Sequence, residues 1–139
     1  MVKQIAVFLE NRAGRLQELT EMLCAGGVDL LSMNIADTTE FGICRIISRD
    51  NDKAVEVLKK AGLTVTVSEL IGIVVDDKPG ALSGALKLLK DNNISVEYLY
   101  AFARTADKSA LIFCKTADTA HAESLLKKAN VKLLENNMI

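Results

Sequence analysis

The chain has little of what usually announces chemistry. It holds one histidine, no tryptophan, one proline and three cysteines in 139 residues. His121 falls on the solvent-rich side of a predicted helix, with no cysteine or carboxylate pattern beside it, so it reads as a surface residue rather than a metal ligand or a base. Cys24, Cys44 and Cys114 form no CxxC pair. An odd, scattered set reads as reduced thiols buried in the core of a cytoplasmic protein. No Walker loop, GxSxG, HExxH or zinc spacing occurs, and neither a metal nor a cofactor is expected. Neither sign of charge dominates: 17 basic residues face 18 acidic ones, for a net charge of −1. That balance removes the electrostatic case for nucleic acid or an anionic membrane. No apolar run approaches the roughly 20 residues that span a bilayer. The N-terminus enters a strand pattern at once, with no signal-peptide layout.

What the chain does have is repetition. Residues 5–16 read IAVFLENRAGRL and residues 71–82 read IGIVVDDKPGAL. Downstream, residues 54–65 (AVEVLKKAGLTV) echo residues 122–133 (AESLLKKANVKL). A repeat of half the chain implies two copies of one small unit, residues 1–68 and 69–139. Half of the residues are hydrophobic, but a unit of about 70 residues buries too little surface to be comfortable alone. The copies are therefore expected to support each other across a pseudo-twofold interface. Every notable feature is duplicated, whereas most catalytic sites need unlike residues converging once, which argues against an enzyme.

Hydrophobic periodicity predicts the same order in each copy. The first has strands at 2–9, 28–36, 41–48 and 63–67. Its helices carry the stripes Leu16, Leu19, Met22, Leu23 and Ala54, Val55, Leu58, Ala61. The second has strands at 70–75, 94–103, 109–115 and 131–134, with helices along Leu82, Ala85, Leu86, Leu89 and over 117–128. Turns are expected at 37–40 and 104–108. Gly26-Gly27, Gly62 and Asn92-Asn93 read as helix stops, residues 50–52 (DND) as a helix cap, and Pro79 as a helix start. Only Ser68 and Glu69 separate the copies, too short a link to let them swing. A βαββαβ chain folds as a four-stranded antiparallel sheet with both helices on one face, the ferredoxin-like layout. In the strand at 94–103, Tyr98, Tyr100 and Phe102 share one face and Leu99, Ala101 and Ala103 the other. Both faces are apolar, so the one away from the helices needs a cover, most simply a second subunit: a homodimer.

The element Asn11-Arg12-Ala13-Gly14-Arg15-Leu16, matched by Asp77-Lys78-Pro79-Gly80-Ala81-Leu82 on a βαββαβ unit, resembles the ACT domain. ACT domains are small regulatory modules that commonly bind free amino acids. Residues 35–43 (IADTTEFGI) look like the middle hairpin of stand-alone tandem ACT proteins of bacteria. The resemblance covers essentially the whole chain, though the first copy has Ala13 where the second has Pro79. It implies an α+β fold of two ACT units paired into one eight-stranded antiparallel sheet with the helices on one face. It implies a regulatory protein sensing a free amino acid at the interface of those units. The rival reading is a regulatory subunit acting by contact with a biosynthetic enzyme, of which acetolactate synthase is the type suggested by ACT-containing regulatory subunits.

The chemistry of the turn suits such a ligand. A helix N-terminus offers unpaired N–H groups and partial positive charge to a carboxylate. Gly14 and Gly80 would let a ligand approach the backbone, although glycine there can equally serve chain geometry alone. Asn11 or Asp77 could accept from an ammonium group, or simply cap a helix. Arg12 and Lys78 could meet a carboxylate, or stand as solvated surface charges. In related ACT pairs the ligand lies where one unit's turn faces a strand of the partner unit. By that likeness Leu31, Ser32 and Asn34 would close one pocket, and Glu97, Tyr98 and Tyr100 the other, unless the tyrosines only pack.

Overall fold

The computed structural model describes residues 1–36, 41–104 and 109–134, with the backbone alone at 102–104. The turn expected at 37–40 and most of the one expected at 104–108 therefore lie outside the described residues. So does the facing of Phe102 and Ala103. The described elements run β1 (Val2–Glu10), α1 (Arg15–Ala25), β2 (Leu30–Ala36), β3 (Phe41–Ser48), α2 (Asn51–Lys60), β4 (Val65–Asp76), α3 (Ala81–Asp91), β5 (Val96–Arg104), β6 (Ser109–Thr116) and α4 (Thr119–Lys128). Contacts divide the chain into an N-terminal unit, Lys3–Ser68, and a C-terminal unit, Glu69–Ile139 with Met1–Val2.

In the N-terminal unit β1 and β2 both pair antiparallel with β3, and the strands lie in the order β2-β3-β1-β4. Alternate residues turn one face of this sheet to the helices. Ile5, Val7, Leu9, Cys44 and Ile46 pack on Leu19 and Leu23 of α1 and on Ala54 and Leu58 of α2. The C-terminal unit repeats the arrangement with β6 pairing antiparallel with β4 and β5. There Ile71, Ile73, Ile112 and Cys114 pack on Ala85, Leu89, Ala122 and Leu126. Each fully buried leucine or isoleucine is worth about 1.5–3 kcal/mol of desolvation, so each cluster is the internal core of its own unit. Both helices of each unit cover the same sheet face, as the ferredoxin-like pattern requires.

All four helices end the same way. Val28, Leu63, Ile94 and Val131 each donate a backbone N–H to the carbonyl five residues back, at 2.9, 3.1, 2.9 and 3.0 Å. The residue before each is left-handed: Gly27 (φ 63°), Gly62 (φ 78°), Asn93 (φ 57°) and Asn130 (φ 57°). These are Schellman closures, and asparagine fills the left-handed position in the second copy where the first has glycine. Two helices open on an aspartate cap: Asp50 accepts from Lys53 N at 3.0 Å, and Asp118 from His121 N at 2.9 Å.

Several expectations are corrected. Six strands form among the described residues, not eight. The strands expected at 63–67 and 70–75 are one strand, β4, with Ser68 and Glu69 inside it. VTVSELIGIVVD is rich in β-branched residues and has no proline or paired turn residues before Asp76, so the backbone can run through Ser68 and Gly72 extended. The closing strand at 131–134 is reduced to one bridge, Leu133 opposite Ile73. Its hydrogen bonds are nonetheless in ladder positions: Val74 N donates to Lys132 O at 2.9 Å, and Leu134 N to Gly72 O at 2.7 Å. A side chain on Gly72 would meet Leu134 Cβ at 2.7 Å. Cys24 is exposed, whereas Cys44 and Cys114 are buried as expected. Pro79 precedes the N-cap residue Gly80 instead of opening α3.

Candidate functional site

The two turns have one backbone. After β1, Arg12 N donates to Glu10 O at 3.0 Å and Arg15 N to Arg12 O at 3.2 Å; after β4, Lys78 N donates to Asp76 O at 2.8 Å and Ala81 N to Lys78 O at 3.3 Å. Gly14 (φ 85°) and Gly80 (φ 88°) are the N-cap residues of α1 and α3, with no side-chain cap hydrogen bond. The positive φ by itself calls for glycine, since other residues take that conformation at a cost of roughly 1–2 kcal/mol. An added Cβ at either position would meet nothing within 4 Å. Each helix therefore begins with open space at its N-terminus, where amides and partial positive charge gather.

The side chains differ. At the N-terminal turn Arg12 makes a bidentate pair with Glu18, Nη1 to Oε1 at 3.1 Å and Nη2 to Oε2 at 3.0 Å. Its Nε donates to Glu10 Oε2 at 3.2 Å. Arg15 Nη1 also donates to Glu18 Oε2, at 2.8 Å, while Arg15 Nε is buried without a hydrogen-bond partner. The hydrogen bonds from Arg15 and Arg12 hold the Glu18 carboxyl below its ordinary range, and those from Glu18 and Glu10 raise Arg12. At the C-terminal turn Lys78 Nζ pairs with Asp76 Oδ2 at 2.7 Å. Hydrogen bonding to Lys78 lowers Asp76 in turn. Arg12 and Lys78 thus share a role, each bound to the acid two residues earlier.

A cavity of about 200 Å3 opens at the N-terminal turn, lined by Leu9, Glu10, Asn11, Arg12, Arg15, Leu16, Ile35 and Gly42. Of the residues expected from sequence, this brings together Asn11, Arg12, Arg15 and Leu16. Ala13 and Gly14 are exposed members of the same turn. Leu9, Glu10, Ile35 and Gly42 were missed. Ile35 opposes Cys44 and Gly42 opposes Leu9 in the ladders, so a register for β1, β2 and β3 would have found both. Leu31, Ser32 and Asn34 lie on β2, half-buried and outside the lining of this cavity. In the C-terminal unit Asp77, Lys78, Pro79 and Gly80 are exposed, Ala81 and Leu82 half-buried. On β5 Glu97 is exposed, and Tyr98 and Tyr100 are half-buried. Tyr100 packs against Phe113 with ring centroids 5.6 Å apart.

Among the described residues no group of three His, Cys, Asp or Glu could hold a metal ion. No described helix is long and apolar enough to cross a membrane.

Two ferredoxin-like units with uncapped, glycine-opened helices define a class of paired α+β modules. The chain belongs to the ACT domain pair family, which it matches over residues 1–139. It is similar to a solved structure from Bacteroides thetaiotaomicron, with 34% identity and a TM-score of 0.91, covering 99% of this chain and 94% of that one. The regulatory subunit of aspartate kinase from Thermus thermophilus, in its ligand-free form, shares the fold at 12% identity and a TM-score of 0.64, with 91% of each chain covered. The same subunit from Thermus flavus matches at 14% identity and a TM-score of 0.62, with 92% of each covered. No curated protein matches the chain.

Proposed function

We propose that this chain is a regulatory protein, without catalysis, that binds a free amino acid at the N-terminal turn. The observation that carries the reading is the cavity where Arg15, with its Nε lacking an acceptor, lies beside a helix start that no side chain caps. A ligand carboxylate would accept from Arg15 Nε and the first amides of α1. Its ammonium would be held by Glu10, and its side chain would lie among Leu9, Leu16 and Ile35. Closure of each turn by Leu31, Ser32 and Asn34, or by Glu97, Tyr98 and Tyr100, belongs to the same proposal and rests on the family likeness. Binding would favour one arrangement of the protein and shift its population. The test is a thermal-shift screen of the standard amino acids. A ligand at 100 times its Kd adds about 2.7 kcal/mol of stability, and Arg15→Gln should remove most of that gain.

A second reading is supported by the fold shared with aspartate kinase regulatory subunits: the chain would act on a biosynthetic enzyme, with acetolactate synthase a further candidate, by direct contact. A pull-down from native lysate separates the readings, since a free-standing sensor returns no stoichiometric enzyme.

A further inference from the structure

The C-terminal unit holds a cavity of about 450 Å3 that shares no residue with either turn. Met1, Glu123, Lys127, Val131, Leu133 and Leu134 line it, among others, and it has the size of an ordinary small-ligand pocket. Glu123 is its one carboxylate, with a side chain only 14% exposed. Oε1 accepts from the Met1 ammonium at 2.7 Å, and Oε2 pairs with Lys127 Nζ at 3.3 Å. The bond from Met1, before that from Lys127, holds the Glu123 carboxyl below its ordinary range. The fold itself does not call for charge here. In the repeat, residues 54–65 against 122–133, Val55 takes the place of Glu123, and Val55 packs against the N-terminal core. Two ammonium groups against one carboxylate leave a local charge of +1. Each ammonium has three N–H donors, and Glu123 occupies one of each. The carboxyl end of a helix repels anions, but the last carbonyls of α4 are already taken: those of Leu125, Leu126 and Lys127 accept from Ala129, Val131 and Asn130.

We propose that this cavity binds a short aliphatic monocarboxylate, its carboxylate accepting from the Met1 and Lys127 ammonium groups and its chain packed on Val131, Leu133 and Leu134. The apolar lining is branched and aliphatic, with no aromatic ring for stacking. A monoanion balances the local charge, whereas a phosphate dianion would overshoot it. An α-amino acid suits the cavity poorly. Its own ammonium would meet two like charges, and each oxygen of Glu123 already accepts from one of them. Chemistry and place both separate this site from the amino-acid reading of the turn, so either can fail without the other.

The test is an amide chemical-shift titration of the full 15N-labelled chain, its Met1 amine free, with hexanoate, acetate and norleucine, the 2-amino derivative of hexanoate. Hexanoate should shift the amides of Lys127, Val131, Leu133 and Leu134 saturably. It should bind there at least about tenfold more tightly than acetate, because each further buried CH2 adds affinity. Norleucine should bind there at least about tenfold more weakly than hexanoate. Lys127→Gln should weaken hexanoate about fivefold, the scale of one charge-assisted hydrogen bond at an exposed side chain. Glu123→Gln removes the negative charge while keeping an acceptor, and should tighten hexanoate, which a merely structural role would not do. The variant spectra report folding, and Lys127→Gln decides alone if Glu123→Gln unfolds. Silence of the cavity amides toward hexanoate at about 20 mM, a response confined to the amides of Asn11, Arg12 and Arg15, equal binding of acetate or norleucine, or hexanoate affinity unmoved by Lys127→Gln overturns the proposal.

Discussion

At the N-terminal turn Glu18 gathers Arg12 and Arg15, whereas the C-terminal turn has Gly84 in the place of Glu18 and Ala81 in the place of Arg15. The equivalence follows from the repeat, residues 5–16 against 71–82, and from hydrogen bonds that match across the two turns. Ladder positions extend it: Gly42 opposes Leu9 as Ala110 opposes Val75, and Ile35 opposes Cys44 as Ala101 opposes Ile112. The backbone has thus been kept while the side chains diverged. The first copy retains charge and a floor of Ile35 over Gly42; the second retains Lys78, Asp76 and a proline. A shared fold conserves the capacity for a helix-start site, and local side chains decide which copy uses it.

The closing segments differ as well, and they yield the largest expected effect. Gly72→Val should cost about 1–3 kcal/mol, because a new Cβ would meet Leu134 Cβ at 2.7 Å, an atom fixed to the backbone rather than the tip of a flexible side chain. Its counterpart Ala6 already carries a Cβ, so Ala6→Gly should change the denaturation midpoint far less. Urea titrations of both variants check this, and equal losses would break the comparison.

Gly14→Val and Gly80→Val probe the shared backbone. Each should cost roughly 1–2 kcal/mol, since each forces a branched side chain into the left-handed region. A clear inequality in urea midpoints would show that the turns are not built alike.

How much of this was legible in sequence depended on what kind of signal each part gave. The repeat, the stripes Leu19–Leu23 and Ala54–Leu58, and the helix stops were open to reading because they rest on local periodicity and turn chemistry. The fusion of two strands into β4 was not, because Ser68 and Glu69 are compatible with either a link or an extended strand, and hydrogen-bond partners decide between them. In the site, the turn residues were found through glycine and the repeat. Ile35 and Gly42 were hidden because they reach the cavity through strand register, which a single strand's pattern does not carry. Cys24 was misplaced because a thiol on a helix reads as core by composition and is decided by its facing.

Smaller effects sharpen the difference in charge. Glu18→Ala should weaken amino-acid binding at the N-terminal turn by roughly tenfold, the scale of one charge-assisted hydrogen bond. Gly84→Ala should leave binding unchanged and raise stability by about 0.5–1 kcal/mol, as an interior helix glycine with open space around it does. Calorimetric titration and thermal melts of the two variants separate these outcomes.

The thiols give the smallest signal. Burial pushes Cys44 and Cys114 up to about 11 each, so both stay protonated at pH 8. One equivalent of an aromatic disulfide reagent should therefore react in the folded chain, at exposed Cys24, and three after denaturation. Reaction at Cys44 without Cys114 would show that one core opens more readily than the other.

The most direct measurement is the amide chemical-shift response of the labelled chain to the standard amino acids, one at a time. The account predicts that at least one of them shifts the amides of Asn11, Arg12, Arg15 and Leu16 together with Ile35 and Gly42, saturably, and that Arg15→Gln abolishes the response. Silence of those amides toward every amino acid, or a response at the C-terminal turn alone, would contradict it.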